Sequence, residues 1–424
     1  MPQPAIGNRR VSGVSRRSLL KASAAATAGL AAAAAIQHVA HAAGSYSLKV
    51  GLIGCGGRGS GAAGQCQQGA SGIEMWAVGD VWTEKAQAAG QRFKVPPDRA
   101  FGGLDAYQKV IASGIDIAIL ATPPGFRPIH FEAAIRAGKH VFMEKPVCVD
   151  PVGYRKVVAA AELAAQKKLC VAAGTQRRHT ASYQECIKRI RGGQMGDIVA
   201  AQCYWIGSPV KPPGTQAPGQ PDVDYQIHNW YNWSWTCGDH IVEQHVHNID
   251  VILWAIGALP EKAIAVGGRQ TRQGKGNIYD HFAVEFGFPG GVRVASYCSQ
   301  FPGGVAHRVG ERVVGAKGDS SCNGSINGEK PWKFDGQNPS GQVQEHADLV
   351  AAIRGQAPYL NEGKQVADSS MAAVLGRMAA YTGREISWKW AAETSKLDLL
   401  PPKMDLAAAF EPHPVAVPGK FELI

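Results

Sequence analysis

The chain has 424 residues, of which 45% are hydrophobic and 18% charged, and this composition excludes an intrinsically disordered protein. Its length exceeds one ordinary domain and predicts two. The formal net charge of +10 falls to +5 when residues 1–42 are set aside, because they hold five basic residues and no acidic one. So mild an excess argues against a nucleic-acid-binding protein.

The first 42 residues have the pattern of an export signal. Residues 15–21 (SRRSLLK) match a twin-arginine signal, and a weakly apolar, alanine-rich run follows at 22–36. The small-residue sequence at 40–42 indicates a cleavage site. We therefore expect a periplasmic mature protein, exported in the folded state. The alternative is an uncleaved anchor or a disordered tail; no later stretch has the length of a transmembrane helix.

Residues 46–168 alternate between predicted strands and helices. The strands are apolar runs of the kind found in buried parallel sheets, at 48–53, 73–78, 115–121 and 140–143. The helices are predicted at 84–93, 129–137 and 150–168, the last beginning at an Asp N-cap. This alternation predicts an α/β fold whose first domain is a doubly wound, Rossmann-type dinucleotide-binding sheet.

A glycine-rich loop follows the first strand. Its Gly-x-Gly-x-x-Gly pattern permits a tight turn and lets the backbone approach a pyrophosphate at a helix N-terminus. The loop residues expected to contact the cofactor are Gly54, Gly56, Gly57, Arg58 and Gly59. Asp80 ends the next strand, where it can bind the adenosine ribose hydroxyls and repel a 2′-phosphate. The pattern therefore favours NAD, with NADP as the alternative because Arg58 lies in the loop.

From residue 169 the pattern changes to longer strands with few helices between them. The predicted strands are 199–206, 263–268, 282–288 and 292–297, with PGG sequences at 289–291 and 302–304 as hairpin turns. A Pro- and Gly-rich surface loop is predicted at 209–225, helices at 344–355 and 365–381, and a surface-wrapping tail at 385–424. We expect residues 169–424 to form a second domain built on an open, mostly antiparallel sheet.

The nine cysteines are odd in number and contain no Cys-x-x-Cys pair. Several lie in apolar runs, where a free cysteine acts as a small buried residue. A chain of this length does not need a disulfide framework. We therefore interpret the cysteines, at positions 55, 66, 148, 170, 186, 203, 237, 298 and 322, mostly as small buried residues.

The tripeptide Glu144-Lys145-Pro146 follows the predicted strand at 140–143. A lysine at the carboxyl end of a parallel strand faces the ligand crevice, and a buried lysine can take part in proton transfer. On this tripeptide alone, an exposed turn lysine remains the alternative.

Together, GLIGCGGRG (51–59) and ATPPGFRPIHFEAAIRAGKHVFMEKP (121–146) resemble the Gfo/Idh/MocA family of glucose–fructose oxidoreductase and inositol dehydrogenase. The resemblance covers essentially the whole chain after the signal. It implies a Rossmann domain, a C-terminal α/β domain with an open, mostly antiparallel sheet, a nicotinamide cofactor and a sugar or polyol substrate. It also implies a homo-oligomer, a dimer or tetramer, built through the open sheet face.

The resemblance assigns roles to individual residues. Lys145 matches the family's catalytic or substrate-orienting lysine. The residues placed at the cofactor are Thr122, Pro123, His130, Glu144, Lys145 and Pro146. The family pattern Asp-x-x-x-His corresponds here to Glu243 and His247. Glutamate replaces the usual aspartate, and His245 stands where glycine is common.

The segment DHIVEQHVHNID (239–250) allows three hypotheses for its histidines: proton transfer, a metal site or a polar helix face. Residues i and i+4 share a helix face, so Glu243 is expected to orient His247, and His247 or Lys145 to accept a substrate proton. A metal site formed with His240 is the competing hypothesis, and a polar helix face is the other. We favour proton transfer without a metal, because HExxH and a Cys cluster are absent. His240 and His245 receive no role, and Asp250 is expected to anchor the helix.

Three further segments, at 174–179, 225–235 and 276–281, supply candidate ligand contacts. Gln176 is expected at the cofactor, after a predicted strand at 169–173, and aromatic faces in the segment 225–235 are expected to stack on sugar rings. For the tryptophans, a place in the hydrophobic core is the alternative. The residues predicted to bind substrate are Arg177, His179, His228, Tyr231, Trp233 and Asp280.

The combined pattern predicts an NAD(P)-dependent oxidoreductase that transfers a hydride between a hydroxyl-bearing carbon of a sugar, glycoside or polyol and its cofactor. The periplasm lacks a free nicotinamide pool, so we expect a tightly bound cofactor. The main alternative is an NAD-dependent glycosidase that oxidises the sugar ring transiently, eliminates the aglycone and reduces the ring again. A non-catalytic sugar-binding protein is a third hypothesis, disfavoured because Lys145 and His247 are both present.

Overall fold

The computed structural model describes residues 47–422. The expected export signal at 1–42 lies outside the described residues. Within 47–422, no helix has both the length and the apolar character that a membrane span requires.

A six-stranded parallel sheet forms the first half of the described chain. Its strands are β1 Leu48–Ile53, β2 Ile73–Asp80, β3 Ala100–Gly102, β4 Ile117–Leu120, β5 His140–Met143 and β6 Val171–Ala173, in the order β3-β2-β1-β4-β5-β6. Its helices are α1 Gly57–Gly69, α2 Thr83–Phe93, α3 Ala106–Ala112, α4 Arg127–Arg136 and α5 Pro151–Gln166. The doubly wound fold is confirmed, with order 3-2-1-4-5-6. The strand β6 lies beyond residue 168, so the sheet extends past the expected end of the domain.

Burial explains why these strands read as continuous apolar runs. Val50 and Leu52 of β1 are fully buried, and so are Ile117 of β4 and Phe142 of β5. Helices cover both faces of the sheet, so no strand needs a polar side. Asp150 caps α5 as predicted, because its Oδ1 accepts a hydrogen bond from the backbone N–H three residues on, at 2.6 Å.

A nine-stranded sheet forms the second half. Its strands are β7 Ile198–Gly207, β8 Lys262–Gly268, β9 His281–Gly287, β10 Arg293–Gln300, β11 Arg308–Gly315, β12 Gly318–Ser320, β13 Ser325–Gly328, β14 Trp332–Lys333 and β15 Ile386–Ser387. The order is β14-β13-β12-β11-β7-β10-β9-β8-β15. Adjacent strands are antiparallel except β7 and β10, which are parallel. The prediction of a mostly antiparallel sheet is confirmed.

One of the two predicted hairpin turns is wrong. The PGG sequence at 289–291 joins the antiparallel neighbours β9 and β10, as expected. The PGG sequence at 302–304 lies between β10 and β11, which do not pair with each other. Both pair with β7, which lies between them. A strand from earlier in the chain has therefore been inserted where a hairpin was expected.

Helices cover one face of this sheet and leave the other open. In the second half they are α6 Ala181–Arg191, α7 Asp222–His228, α8 Ser234–Cys237, α9 His240–Glu243, α10 Val246–Ile256, α11 Gly341–Ile353 and α12 Gly363–Thr382. On β8, Ala263 and Ala265 are buried toward these helices, whereas Ile264 and Val266 are 50% and 71% exposed. The loop predicted at 209–225 runs into α7.

The C-terminal segment lies along the second half of the molecule and closes against α5. Leu397 and Leu399 are buried, and the Leu399 N–H donates to Asp150 Oδ2 at 3.0 Å. The Gln226 side chain donates to the Phe410 carbonyl at 2.7 Å. All nine cysteines are free and buried, as the sequence predicted.

Candidate active site

The glycine loop leaves open space at the N-terminus of α1. Gly54 has a φ of +96°, and a Cβ there would lie 2.6 Å from the Ala121 carbonyl carbon. A Cβ on Gly59 would lie 1.9 Å from the Gly54 carbonyl oxygen. A Cβ on Gly56 or Gly57 would meet nothing within 4 Å. Two glycines therefore permit the turn, and two leave room for a ligand phosphate to approach the backbone, so the loop fits a dinucleotide.

Asp80 holds this loop in place. Its Oδ2 accepts a hydrogen bond from the Cys55 N–H at 2.7 Å, and its Oδ1 accepts one from the Trp82 N–H at 3.1 Å. Arg58 does not oppose it: the Arg58 Nε lies 3.0 Å from Glu144 Oε1, at the carboxyl end of β5. Among residues 47–422 no arginine forms an ion pair with Asp80, the carboxylate expected at the ribose, which favours NAD.

A cavity of about 440 Å³, here called the nucleotide crevice, lies over the glycine loop. Asp80, Thr122, Pro123 and His130 line it, as predicted, together with the loop residues. Thr122 Oγ1 lies 3.2 Å from His130 Nδ1. Burial and the neighbouring Arg127 lower the pKa of His130 to about 3, so this imidazole is neutral.

The roof of the nucleotide crevice comes from the second half of the chain. Residues 227–232, from the end of α7 onward, line the crevice opposite the glycine loop. The rings of His228 and Trp82 lie 3.8 Å apart between centroids, and the Trp82 Nε1 donates to Asp224 Oδ1 at 3.3 Å. His228, which was predicted to bind substrate, therefore lines the nucleotide crevice.

A second cavity of about 250 Å³, here called the chamber, adjoins the nucleotide crevice. The predicted residues that line it are Arg58, Thr122, Glu144, Lys145, Gln176, Tyr231, Glu243 and His247. The two cavities share lining residues, among them Thr122 and Tyr231. A ligand in the chamber is therefore placed against one end of the nucleotide crevice, which is the arrangement a hydride transfer requires.

Lys145 and Glu243 form an ion pair inside the chamber. The Lys145 Nζ lies 3.0 Å from Glu243 Oε1 and also donates to the Glu243 carbonyl oxygen. The two side chains are 13% and 9% exposed, so solvent screens this pair less than a surface pair. Glu243 thus fixes the position of the Lys145 ammonium group.

The expectation that Glu243 orients His247 from one helix face is wrong. The helix α9 ends at Glu243, and α10 begins two residues after Gln244, whose φ and ψ are −106° and −53°. The break turns the Glu243 carboxylate toward Lys145. Asp250 anchors α10 as expected, because it accepts three hydrogen bonds of 2.9–3.0 Å from Arg178.

His247 presents a neutral imidazole to the chamber. Within residues 47–422, neither ring nitrogen makes a hydrogen bond, and the ring stacks on Trp205 at 6.0 Å between centroids. Burial, with the positive charges of Lys145 and Arg177, holds the pKa of His247 well below its usual value. A neutral imidazole with a free nitrogen can accept a proton from a hydroxyl group.

Two predicted substrate contacts are ion-paired away from the chamber. Arg177 pairs with Glu311 of β11. His179 lies between Asp348, at 2.6 Å, and Glu362, at 3.2 Å. Although burial opposes the charge, these two carboxylates raise the pKa of His179 to about 10. The partners of Arg177 and His179 come from distant parts of the chain. These ion pairs therefore hold the two halves of the structure together rather than a ligand.

Trp233 and Asp280 also belong to the protein interior. Trp233 is buried with its ring edge-on to Tyr225, at 6.4 Å between centroids. Asp280 accepts hydrogen bonds from three successive backbone N–H groups, at 270–272, and from His281. Burial opposes the charge, but these bonds lower the pKa of Asp280 to about 2. The hydrogen-bonding capacity of this carboxylate is therefore used to stabilise the turn before β9.

The remaining two histidines of the segment 239–250 are packing residues. His240 is buried against Phe282, at 5.1 Å between ring centroids, and the His245 Nε2 bonds to Ser296 Oγ at 2.8 Å. Across residues 47–422, no group of three or more histidine, cysteine or acidic side chains is arranged to hold a metal ion.

Sequence reasoning missed several residues of the site. Arg127 is 1% exposed and donates to the carbonyl oxygens of Thr122, at 2.6 Å, and Glu144, at 3.0 Å, so it joins the loops after β4 and β5. Residues of the two cavities that carried no prediction include Trp82, Lys85, Tyr107, Lys211, Gln342 and Glu345. Trp82 follows Asp80 by two positions, which is the one sequence signal available for it.

Family models match both halves of the chain. Residues 48–175 match the model described as an oxidoreductase family with an NAD-binding Rossmann fold, Gfo/Idh/MocA. Residues 183–320 match the Gfo/Idh/MocA C-terminal domain. Together the two matches extend over more than half of the chain.

Curated relatives match only part of their own length. The inositol 2-dehydrogenase of Azotobacter vinelandii is 32% identical over 206 residues, which are 47% of this chain and 57% of the relative. An inositol 2-dehydrogenase of Klebsiella pneumoniae is 36% identical over 160 residues, 37% of this chain and 45% of the relative. The matched segments thus span about half the length of these relatives.

Solved structures share the fold at low sequence identity. The WlbA dehydrogenase from Bordetella pertussis, in complex with NADH and UDP-GlcNAcA, has a TM-score of 0.65 and 20% identity over 80% of this chain and 98% of its own. The aldose-aldose oxidoreductase from Caulobacter crescentus has a TM-score of 0.64 and 18% identity over 80% and 99%. At these identities the likeness establishes the architecture.

Proposed function

The chain belongs to the Gfo/Idh/MocA family, and from that premise we propose that it is an NAD-dependent oxidoreductase acting on a hydroxyl-bearing carbon of a polyol or sugar. One observation carries the proposal. The chamber that adjoins the nucleotide crevice holds a neutral imidazole, His247, beside a lysine fixed by a carboxylate, Lys145 with Glu243.

The reaction needs a hydride acceptor and a proton acceptor. A bound NAD, held over the glycine loop, would supply the hydride acceptor for the substrate carbon. His247 accepts the hydroxyl proton, since its free imidazole is neutral at physiological pH. Lys145, positioned by Glu243, donates a hydrogen bond to the hydroxyl oxygen and stabilises the negative charge that develops there. In the reverse direction His247 returns the proton to the new hydroxyl group.

Tight cofactor binding is the second part of the proposal. Its support is the roof over the nucleotide crevice, where His228 and Asp224 of α7 contact Trp82 of the Rossmann half. A ligand in this crevice would contact residues of both halves of the chain, which favours slow release. Such a cofactor is oxidised by one substrate and reduced by another without leaving the protein. This suits a periplasmic enzyme exported in the folded state, as the signal pattern at 15–21 predicts.

The substrate class rests on the relatives. Those named above are inositol dehydrogenases and sugar-related oxidoreductases, so we propose a polyol or sugar. The same chamber chemistry would serve a glycoside. The redox-assisted glycosidase has no observation in its favour, and we retain the net oxidoreductase. NADP stays the alternative cofactor.

We also propose a homo-oligomer formed through the open face of the nine-stranded sheet. On that face Val266, Tyr297 and Tyr204 lie in one cross-strand row with Ala283 between the first two. Val266 and Tyr297 are 71% and 41% exposed, and an apolar row of this kind is commonly covered in an oligomer. Light scattering coupled to size exclusion would give the mass directly.

The decisive experiment extracts the nucleotide from purified protein and then screens substrates. We expect NAD to be released on denaturation and absorbance at 340 nm to rise when a polyol or sugar is added to the holoprotein. Product analysis with glycosides separates the alternatives, since aglycone release without net redox change would support the glycosidase. Protein that neither carries nor binds a nicotinamide nucleotide would contradict the proposal.

A further inference from the structure

Glu345, on α11, stands apart from the other residues of the chamber. It is 2% exposed, and its Oε2 has no hydrogen-bond partner within residues 47–422. Several other buried side chains in that range also have an unpartnered nitrogen or oxygen, but Glu345 is the one among them that lines either cavity. A buried polar atom without a partner is costly, and one that faces a binding cavity can gain its partner from the ligand.

The position of Glu345 is fixed by helix packing. Gln342, in the first turn of α11, accepts a hydrogen bond from Gln65 of α1 at 3.1 Å. A Cβ on Gly341 would lie 2.3 Å from the Gln176 carbonyl oxygen, so the start of the helix presses on the loop after β6. Glu345 therefore reaches the chamber from a helix that is held against the Rossmann half.

The charged side chains of the chamber are mostly engaged already, although neutral polar side chains, Tyr231 among them, also line it. Lys145 and His247 both serve the hydroxyl group that reacts, and Glu243 is occupied by Lys145. Glu144 is occupied by Arg58. A polyol or sugar brings further hydroxyl groups into the cavity, and each needs a hydrogen-bond partner if binding is to be favourable.

Taking the proposed function as given, we propose that Glu345 is a substrate-binding residue, which hydrogen-bonds through its carboxyl group to a non-reacting hydroxyl of the polyol or sugar. A carboxyl group suits a hydroxyl in either protonation state, because a hydroxyl group both donates and accepts. The partner is therefore defined by its chemistry as a second hydroxyl on the same ligand.

The electrostatic surroundings favour the neutral form of this carboxyl group. Burial and the neighbouring Glu144 raise the pKa of Glu345 well above its usual range, and Glu362 adds to the effect, whereas His179 and Arg58 oppose it. A protonated Glu345 can donate a hydrogen bond to the ligand while it stays neutral, so no second negative charge lies beside Glu144. This avoids the repulsion that a second buried carboxylate would cause.

Three variants test the role. Glu345→Ala removes the carboxyl group, Glu345→Gln keeps a donor and an acceptor, and Asp348→Asn changes a carboxylate of the same helix that does not line the chamber. The probes are myo-inositol and D-glucose, each titrated by calorimetry into protein loaded with NADH. The affinity of the holoprotein for NADH is measured beside them by fluorescence.

We expect Glu345→Ala to weaken binding of at least one probe about tenfold, the loss of one hydrogen bond, while Glu345→Gln and Asp348→Asn stay within about threefold of the wild type. NADH affinity should be the same in all four proteins. Equal probe affinities in wild type and Glu345→Ala, including no measurable binding by either, would overturn the proposal. A loss of affinity for NADH alone, with unchanged affinity for both probes, would also overturn the proposal. The proposed function has its own test. It fails if the wild-type protein does not reduce NAD with any polyol or sugar in the screen.

Discussion

Lys145 is the residue whose removal most directly tests the chamber chemistry. Its ammonium group is held at 3.0 Å from Glu243 and supplies the positive charge beside the reacting oxygen. We expect Lys145→Ala to lower kcat by about 10²- to 10⁴-fold, the usual contribution of a positioned proton donor or acceptor. Steady-state rates with the best substrate from the screen give the value, and NADH fluorescence should show unchanged cofactor binding. The matched control is Lys156→Ala, which changes an exposed lysine on α5; a similar rate loss there would contradict the assignment.

His247 sets the acid side of the pH profile. Burial and the charges of Lys145 and Arg177 hold its pKa well below the usual value, so the imidazole stays neutral as the pH falls through 6.5. We therefore expect kcat/KM for substrate oxidation to be flat from pH 8 to about 6.5 and to fall only at lower pH, where the base becomes protonated. Initial rates in buffers of constant ionic strength would measure this. A midpoint at or above the usual histidine value would show that His247 is not buried as described, or is not the base.

At the scale of an element, different glycines of one loop serve folding and cofactor binding. Gly59 permits the fold, because a Cβ there would lie 1.9 Å from a backbone oxygen, whereas Gly57 has open space. We expect Gly59→Ala to lower the midpoint of thermal unfolding by several degrees. Gly57→Ala should fold normally and weaken NADH binding at least tenfold, since the methyl group occupies the approach to the phosphates. Melting curves and fluorescence titration distinguish the two; equal effects of both variants on both measurements would contradict this division.

Elements with a local signature were predictable from the sequence, and those determined by distant partners were not. The loop at 54–59 and the buried strands β1, β2, β4 and β5 follow from short-range patterns, and all are present. The chamber was only partly predictable. Glu243 lies four residues before His247, yet its partner is Lys145, 98 positions away. Helix periodicity does not reveal the break at Gln244, and strand pattern does not reveal that β7 separates β10 from β11.

The same limit explains why two residues predicted to bind substrate are ion-paired outside the chamber. Arg177 and His179 follow a strand of the Rossmann sheet, where a ligand contact is expected, but Glu311 and Glu362 reach them from remote parts of the chain. Whether a polar side chain is free for a ligand depends on such partners, and their positions are fixed only when the whole chain is folded. Lys145 and His247 were identified because the family pattern already contains that long-range information.

The molecule as a whole buries several neutral histidines, and this predicts its response to acid. Burial lowers the pKa of His130, His245 and His346 to about 3, whereas each regains an ordinary value of about 6.5 when the chain unfolds. Below that pH the unfolded chain binds protons that the native state does not, so stability falls. At pH 5.5 each such group destabilises the fold by about 1.4 kcal/mol relative to neutral pH.

His179 has the opposite sign but does not cancel this loss. Its pKa is raised to about 10 by Asp348 and Glu362, so its contribution is complete once the pH is below about 6.5 and adds nothing further in acid. Asp239 opposes part of this loss, because burial raises its pKa to about 6 and its native carboxylate takes up a proton over the same range. We therefore expect each buried histidine to contribute a loss of stability between pH 6.5 and 5, which scanning calorimetry of matched variants would measure. His346→Leu supplies the matched variant, since the His346 ring packs against Phe142 at 3.9 Å and neither nitrogen has a partner among the described residues. It should be at least as stable as the wild type at pH 7.5 and lose less stability in acid; an unchanged slope would show that His346 is not held neutral by burial.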